Sequence, residues 1–412
     1  MRTLIGSCLV VLCLWTCGPA LAESTVQVLH DFSGTLDGAT PKGSLTLVDG
    51  VLFGRTALGG ASNNGAIFSY DLNGATFTLV YSFTAGASNG TGNQPHHDSM
   101  TLVGSTLYGA ALYGGNTNNG DGNGNGVVFS VATSTGTYAV VSALSGGTLN
   151  SSESHSCFLA SGSTLYGMSA KGGVNGEGTI YSIDSTTGAY SLLYSFATAT
   201  GSQPHGRLIF ASNGTTMLGM TRKGGSHGYG VIFGFTPGAG TPYQVLHNFA
   251  GGNGDGATTD HGFLVLVGTT VYGMTTNGGV RNKGVIFSMS ETGAANSFSL
   301  LHTFGVQSDD GSEPYGSLTL SNNYLYGMTR NGGKHGDGTI FRVGTDGKHY
   351  SKLASFDAST TGGNPIDNVT ISADGSTLYG LTQTGGANDP AKVQSYGSIF
   401  SMTIPPVSGK PD

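Results

Sequence analysis

The chain has 412 residues, of which 72 are Gly, and only 9% of its residues are charged. Its 12 Pro and the absence of a three-residue period exclude collagen, and its 37% of apolar residues, in short β-branched and aromatic runs, excludes a disordered chain. The formal net charge of -7 argues against a nucleic-acid-binding protein.

The first 22 residues have the pattern of a secretory signal peptide. Arg2 precedes an apolar run, and small residues lead to a predicted cleavage site after Ala22. We therefore expect a mature protein that is secreted or periplasmic. Lipidation at Cys17 is the less favoured alternative, because Trp15 and Thr16 are poor residues before a lipidated Cys. No later apolar run approaches the ~20 residues of a membrane span, so we predict none.

One sequence phrase, typified by LYGMTRNGGKHGDGTIF at Leu325 to Phe341, occurs seven times. The Gly that follows its aromatic residue lies at Gly54, Gly109, Gly167, Gly219, Gly273, Gly327 and Gly380, so successive copies are 52 to 58 residues apart. A period of this regularity predicts a repeat architecture. We expect one domain over residues 23–404, followed by a tail at residues 405–412.

Each period contains four runs that alternate apolar and polar residues, which predicts four short strands. In the first period these runs follow a spare strand at Val26 to Phe32 and are PKGSLTLVDG, LFGRT, GAIFSYD and FTLVYSF. Seven four-stranded units without helical periodicity predict an all-β fold, a seven-bladed β-propeller. The last period ends without its fourth strand, so we expect the N-terminal strand to complete the last blade and close the ring.

The copies of LYG, followed by G[TV]IF, YxLLxxF and Pro-x-Gly-x-Leu, resemble the GloVer repeats of extracellular Gloeobacter and Verrucomicrobia proteins and, more distantly, kelch repeats. The resemblance covers about residues 26 to 402. It implies a β-propeller and no particular activity. Kelch repeats have a Trp near the outer strand, where this chain has Phe77, Tyr138, Tyr190, Tyr243, Phe298 and Tyr350.

In a kelch-like blade the first strand lines the central channel. The loop that leads into this strand (the lead-in loop) lies on the same face as the loop between strands two and three (the 2–3 loop), and together they form the funnel face. Three residues before the aligned position of strand one, the lead-in loops have Lys42, His97, His155, His205, His261, Tyr315 and Ile366. Four consecutive blades thus present His at one equivalent position.

Two interpretations of this His column stay open. The residues can be a repeat consensus that caps the strand or bonds a loop carbonyl. Alternatively they line a functional funnel, in which the general base is one of His97, His155, His205, His261 and Tyr315. In that funnel His155, His205 and His261 are also the candidates for binding a divalent metal, which requires convergence to within ~2.1 Å of one ion. The sequence defines no cofactor.

The scarce basic residues concentrate on the same face. The 2–3 loops contribute Lys171, Arg222, Lys223, Arg281, Arg330 and His335, and Lys42 joins them from a lead-in loop. Loops commonly contain charges, so this distribution alone is weak support for a site. Arg222 and Arg330 occupy equivalent positions near the His column, however, where a guanidinium can pair bidentately with the carboxylate of a uronic-acid sugar.

Other repeated residues are predicted to be scaffold. The LYG aromatic residues occur in nearly every copy, which packing between blades explains. His30, His247 and His302 share a position on the outermost strand and are predicted to be surface residues. Cys157, the one Cys after residue 22, is expected to be buried and inert.

Two functions are consistent with these residues. The first is a secreted, monomeric propeller whose funnel face binds an extracellular polysaccharide or a surface protein. The second is a polysaccharide lyase that acts on a uronic-acid-containing glycan. In the lyase, a funnel His or Tyr315 abstracts the proton, and Arg222 or Arg330 neutralises the uronate. The sequence does not decide whether the protein is an enzyme.

Overall fold

The computed structural model describes residues 23–34, 36–84, 90–95, 99–115, 124–155, 157–389 and 396–406. These residues form seven main antiparallel sheets, arranged as the blades of a β-propeller, which confirms the predicted fold class. Within these ranges the one helical element is a 3₁₀ turn at Thr198–Thr200.

The strands are numbered in chain order. β1 (Val26–Asp31) precedes blade 1, which contains β2 (Ala39–Pro41), β3 (Thr46–Val48), β4 (Val51–Leu58), β5 (Ala66–Asp71) and β6 (Thr76–Ser82). Blade 2 contains β7 (Thr101–Val103), β8 (Thr106–Ala111), β9 (Val127–Ala132) and β10 (Tyr138–Ala143). Blade 3 contains β11 (Ser151–Ser152), β12 (Leu159–Ser161), β13 (Thr164–Ser169), β14 (Lys171–Gly172), β15 (Thr179–Asp184) and β16 (Tyr190–Ser195).

The remaining blades repeat this order. Blade 4 contains β17 (Ile209–Phe210), β18 (Met217–Met220), β19 (Val231–Phe235) and β20 (Tyr243–Asn248). Blade 5 contains β21 (Gly256–Ala257), β22 (Val265–Val267), β23 (Thr270–Thr275), β24 (Asn277–Gly278), β25 (Val285–Ser290) and β26 (Ser299–Thr303). Blade 6 contains β27 (Gly311–Ser312), β28 (Thr319–Ser321), β29 (Tyr324–Thr329), β30 (Asn331–Gly332), β31 (Thr339–Gly344) and β32 (Ser351–Ser355). Blade 7 contains β33 (Gly363–Pro365), β34 (Thr370–Ile371), β35 (Thr377–Thr384) and β36 (Ser398–Thr403).

The Gly that marks each repeat has a packing role. Gly327 of β29 lies opposite Phe341 of β31, and a Cβ on Gly327 would lie 2.5 Å from Phe341 Cζ. Gly273 has the same relation to Phe287. Only a residue without a side chain allows the aromatic ring to lie flat across the second strand, so the conserved spacing within each copy reflects the core of the blade.

The core extends from one blade into the next. Tyr272 and Met274 of blade 5 pack in one cluster with Leu325 and Phe341 of blade 6. The LYG aromatic Tyr272 therefore packs between blades, as predicted. Because each blade buries its apolar face only against its neighbours, the ring must close for the first and last blades to be covered.

The ring closes as the sequence predicted. β1 pairs antiparallel with β36, with Val26 opposite Met402 and Asp31 opposite Ser398, so the N-terminal strand is the outer strand of blade 7. On the inner side of the same junction, Thr370 Oγ1 donates a hydrogen bond to the Leu45 carbonyl oxygen at 2.5 Å. Blades 7 and 1 are thus joined at the channel as well as through the outer strand.

The two loops of the funnel face pair with each other at blades 3, 5 and 6. β11 pairs with β14, β21 with β24 and β27 with β30. Directly after this segment each lead-in loop has a non-glycine residue with positive φ, for example Glu153 at 52°, Thr258 at 56° and Glu313 at 57°. This turn leads the chain from the funnel face into strand one, and it places the next residues at the channel.

Candidate functional site

Side chains from four consecutive blades meet at the funnel end of the channel. The rings of His155 and His205 stack with centroids 4.5 Å apart and planes at 17°. His261 lies 4.8 Å from His205 and 5.7 Å from His155, again between ring centroids. Tyr315 extends the row, 5.2 Å from His261. His155, His205 and His261, which lie at least 50 residues apart in sequence, are termed the imidazole cluster.

Blade 5 departs from its neighbours by one residue. Leu208 of blade 4 lies five positions after Gln203, which has positive φ, whereas Leu264 of blade 5 lies six positions after its counterpart Thr258. The additional residue is accommodated at His261, whose φ is 57°. A non-glycine residue in this left-handed region is strained by roughly 1–3 kcal/mol and is held there by its surroundings.

The longer loop brings Asp260 to the imidazole cluster together with His261. Both residues are buried, with 9% and 4% of their surfaces exposed. The ligand atoms of His205, Asp260 and His261 all lie within 4.8 Å of one another. The structure therefore groups two imidazoles and one carboxylate from blades 4 and 5.

Cations compensate the buried carboxylate. Arg222 Nε, from the 2–3 loop of blade 4, forms an ion pair with Asp260 Oδ1. Burial raises the pKa of Asp260, and the charges of Arg222, Arg330 and Lys223 act in the opposite direction. Burying an unpaired carboxylate is costly, so Arg222 is the main partner that keeps a charge at this position.

Further cations face the same space from other blades. The Arg330 guanidinium lies 5.4 Å from the centroid of the Tyr315 ring. Burial lowers the pKa of Lys42, and the charge of Arg330 lowers it further, so cations from blades 1 and 6 are close enough to repel each other. Burial also raises the pKa of Tyr315, as does Asp260, while Arg330 and Arg222 partly offset this rise.

His155 is held in its neutral form. Burial lowers its pKa to about 4, and the charges of Arg222, Lys42 and Lys171 contribute to the shift. At neutral pH the imidazole is therefore uncharged and retains a nitrogen lone pair. A neutral imidazole is the form that accepts a proton from a substrate or donates a lone pair to a metal.

A sequence profile of the Gloeobacter/Verrucomicrobia repeat matches residues 112–308 and 264–407, which together span most of the chain. The chain belongs to the Gloeobacter/Verrucomicrobia repeat family. The resemblance read from the LYG and G[TV]IF motifs is thereby confirmed. Comparison with curated proteins gives no match.

Solved structures similar to this Gloeobacter/Verrucomicrobia repeat protein have diverse functions. An oligogalacturonate lyase in complex with manganese superposes with a TM-score of 0.54 at 12% identity, covering 94% of this chain and 95% of the lyase. A chain of the mitotic checkpoint complex superposes with a TM-score of 0.53 at 14% identity, covering 97% and 98%. These superpositions show a shared propeller fold. At such low identity they do not indicate a shared activity.

Two predicted ligand-binding residues of the Gloeobacter/Verrucomicrobia repeat protein lie beside the cluster. Lys171 Nζ forms an ion pair with Glu153 Oε1 at 2.5 Å, and its charge acts on His155. Lys223 is exposed, its backbone pairs with Ser202, and its charge acts on Asp260. Both contribute positive potential, and their roles in binding stay predictions.

Two other predicted ligand-binding residues lie at the outer rim of the funnel face. His335 Nδ1 is 3.9 Å from Asp357 Oδ2, next to the end of the fourth strand of blade 6. Arg281 is exposed, and its Cβ lies beside Gly305, which follows the fourth strand of blade 5. The structure does not bring these residues to the imidazole cluster. His97 lies outside the residues that the structure describes.

The sequence places Asp260 among the acidic residues of the funnel face but does not mark it as a site residue, whereas the structure groups it with His205 and His261. In blades 4 and 6 the column residue follows a proline, as Pro204 precedes His205 and Pro314 precedes Tyr315. In blade 5 the residue before His261 is Asp260, and the loop is one residue longer. The lost proline and the change in loop length were the available signals.

The outer His residues differ from the prediction that they are surface residues. His30, His247 and His302 have only 22%, 20% and 16% of their side chains exposed. Each stacks on an aromatic ring of the next blade, with centroid distances of 4.0, 4.2 and 3.5 Å, and each Nε2 lies 3.1 or 3.2 Å from an Asp oxygen. The prediction is wrong because the sequence places these residues on the outer strand but does not show how deeply their side chains lie in the cleft between two blades.

The described residues contain no helix that is long and apolar enough to cross a membrane.

Proposed function

We propose that the funnel face binds an acidic polysaccharide, with a uronic-acid unit placed at the imidazole cluster and its carboxylate between Arg222, Arg330 and Lys42. The proposal includes a location outside the cytoplasm, since the sequence predicts cleavage of a signal peptide near Ala22.

The convergence of like charges carries this proposal. The charge of Arg330 lowers the pKa of the partly buried Lys42, so the two cations repel each other across the funnel. Such an arrangement lowers stability unless something offsets the repulsion. A bound carboxylate offsets it, and a guanidinium also matches the two carboxylate oxygens in geometry.

Binding is tested by calorimetric titration of oligogalacturonate and of a neutral glucan into the chain without its leader. We expect binding of the acidic sugar alone, with an affinity that falls as salt is raised. Arg330→Gln should weaken it about 10- to 100-fold, since a charged hydrogen bond contributes roughly 1.5–3 kcal/mol. Lys348→Gln, in an exposed turn between β31 and β32 on the opposite face, is the matched control and should have no effect. Equal binding of both sugars, or an effect of Lys348→Gln as large as that of Arg330→Gln, contradicts the proposal.

The second candidate is a lyase that cleaves a uronate polymer by β-elimination. A base removes the proton next to the carboxylate, a double bond forms between that carbon and its neighbour, and the glycosidic C–O bond breaks, with the leaving oxygen protonated. The observation in favour is geometric: the rings of His155, His205 and His261 lie together with cations nearby, and His155 is uncharged at pH 7. The raised pKa of Tyr315 keeps its hydroxyl protonated at neutral pH, so in this candidate its role is to protonate the leaving oxygen and not to act as the base.

The lyase candidate is tested by ultraviolet absorbance of unsaturated uronate products. The oligogalacturonate lyase with the same fold suggests oligogalacturonate as the first substrate of the panel. A lyase should produce an absorbance increase that His155→Ala and His261→Ala each remove while oligogalacturonate still binds. Binding without any absorbance increase on the panel would leave the sugar-binding function and eliminate the lyase.

A further inference from the structure

We propose that His205, Asp260 and His261 bind one divalent first-row transition-metal ion, of the class of Mn²⁺ or Zn²⁺. This proposal goes beyond sugar binding and is tested with the metal alone, so that either proposal can fail without the other.

The three side chains are already close to coordination distance. Their ligand atoms lie within 4.8 Å of one another. Ligands at about 2.0–2.2 Å from one ion are about 3.0–3.6 Å apart. Small side-chain rotations, which shift each ligand atom by about 1 Å, would bring the three onto one ion without a change in the blades.

The ligand chemistry selects the class of metal. Two imidazole nitrogens and one carboxylate suit Mn, Fe, Co or Zn, whereas Ca²⁺ and Mg²⁺ prefer sites built from oxygen atoms alone. Three protein ligands would leave coordination positions open, which an oxygen atom of the proposed sugar carboxylate could take.

The local backbone supports a dedicated site. The additional residue in the lead-in loop of blade 5 places both Asp260 and His261 at the cluster, and His261 adopts a φ of 57° to do so. In blade 4, where the loop has the ordinary length, the corresponding segment supplies His205 alone. His261 is a second positive-φ residue in this loop, in addition to the turn residue Thr258 that has a counterpart in every blade.

Arg222 competes with the metal for Asp260. Its Nε is paired with Asp260 Oδ1, so a metal must displace the guanidinium from that oxygen. The displaced Arg222 would then be available to an incoming anion. This exchange makes a specific prediction: removing the guanidinium should strengthen metal binding, whereas it should weaken binding of an acidic sugar.

His155 has a positioning role in this proposal. It is not among the three residues whose ligand atoms lie within 4.8 Å of one another, but its ring stacks flat on that of His205. The stack restricts the rotation of the His205 ring. His155→Phe, which keeps a flat ring at this position, should therefore preserve metal binding better than His155→Ala.

The experiment uses untagged protein without the leader, treated with a chelator and then dialysed against MnCl₂ or ZnCl₂, with the bound metal measured by mass spectrometry and calorimetry. We expect one ion per chain and no binding of CaCl₂ at the same concentration. His205→Ala, Asp260→Asn and His261→Ala should each lower the affinity at least tenfold. Arg222→Gln, which removes the competing guanidinium, should raise it.

The matched control is His247→Ala, which removes a His of the outer column that lies 3.1 Å from Asp255. It should leave metal binding unchanged. Thermal melts identify any variant that fails to fold. If His261→Ala fails to fold, Asp260→Asn still tests the site, because it keeps the side-chain volume. The proposal is overturned by the absence of stoichiometric binding, by binding that survives Asp260→Asn, or by a tenfold loss in His247→Ala.

Discussion

Two columns of histidines run around this propeller, and they differ in whether their copies meet. His30, His247 and His302 lie on outer strands, each in its own cleft between blades, with an aromatic ring and an Asp as partners. His155 and His205, on inner lead-in loops, stack on each other at 4.5 Å. In the sequence the two columns look the same, because each is a His at an equivalent position of several repeats.

The radius of the ring explains the difference. Equivalent positions on outer strands diverge as the blades fan out, so a side chain repeated there acts separately at every junction. Equivalent positions at the channel converge, so the same kind of repetition builds one cluster from several blades. The outer column therefore stabilises the fold, and the inner column is the place to look for binding.

The largest expected effect is on the outer strand itself. Deletion of residues 23–31 removes β1, which is the outer strand of blade 7 and contains His30. The adjoining faces of blades 7 and 1 would then be uncovered, so we expect loss of the cooperative thermal transition. Gln27→Ala, an exposed position of the same strand, is the control and should melt with the intact chain. A deleted chain with an unchanged transition would show that β1 does not seal the ring.

A smaller loss of stability is expected when Asp310, the buried partner of His302, is replaced. Asp310 accepts hydrogen bonds from the backbone N–H groups of Gly305 and Gly311 and from the Tyr350 hydroxyl, and its Oδ2 is 3.2 Å from His302 Nε2. Asp310→Ala leaves several buried donors without an acceptor, and we expect a loss of about 3 kcal/mol or more in the free energy of unfolding.

The free energy of unfolding of Asp310→Ala, measured by chemical denaturation, is compared with that of a variant at the adjacent Asp309. Its side chain is exposed and pairs with Lys352 at 2.5 Å, and exposed ion pairs contribute about 0–1 kcal/mol. The free energy of unfolding of Asp309→Ala should therefore be close to that of the intact chain. Equal losses in the two variants would contradict the assignment of the Asp310 network to the core.

The smallest effect concerns pH. Burial acts to raise the pKa of Asp37, but hydrogen bonds from His30 and Ser33 outweigh it, so the folded pKa lies below the usual value. The stabilisation is therefore complete above the unfolded pKa of about 3.9 and is lost as the pH falls through the lower folded value.

We expect the melting temperature of Asp37→Asn to approach that of the intact chain as the pH is lowered from about 5 to 2, since the contribution of Asp37 is lost below its unfolded pKa, as the pH falls through the lower folded value. A difference in melting temperature that stays constant with pH would show that the charge of Asp37 does not stabilise the junction between blades 7 and 1.

The sequence predicted the architecture because the blade is encoded locally. Gly327 and Phe341 lie in one repeat, and the spare strand at Val26 to Phe32 was visible as a missing partner in the last repeat. The imidazole cluster was predicted only as a column. Whether His155, His205 and His261 touch depends on channel radius and loop path, which no single repeat encodes.

Asp260 shows what sequence periodicity conceals. Counting back from strand one assigns His261 to the column and leaves Asp260 as one acidic residue among several on the funnel face. The extra residue becomes meaningful only when the loop is traced from its other end, at Thr258, whose positive φ marks the same turn in every blade. In this chain the irregular loop of blade 5 adds a candidate site residue that the repeated positions do not mark.

We propose that the inner His column binds ligand and that the outer one stabilises the junctions between blades. The most direct measurement is calorimetric titration of oligogalacturonate into His205→Ala and His247→Ala, with a thermal melt of each. The account predicts that His205→Ala loses binding at least tenfold with little change in melting temperature, whereas His247→Ala melts several degrees lower and binds normally. Normal binding by His205→Ala, or loss of binding in a folded His247→Ala, would contradict it.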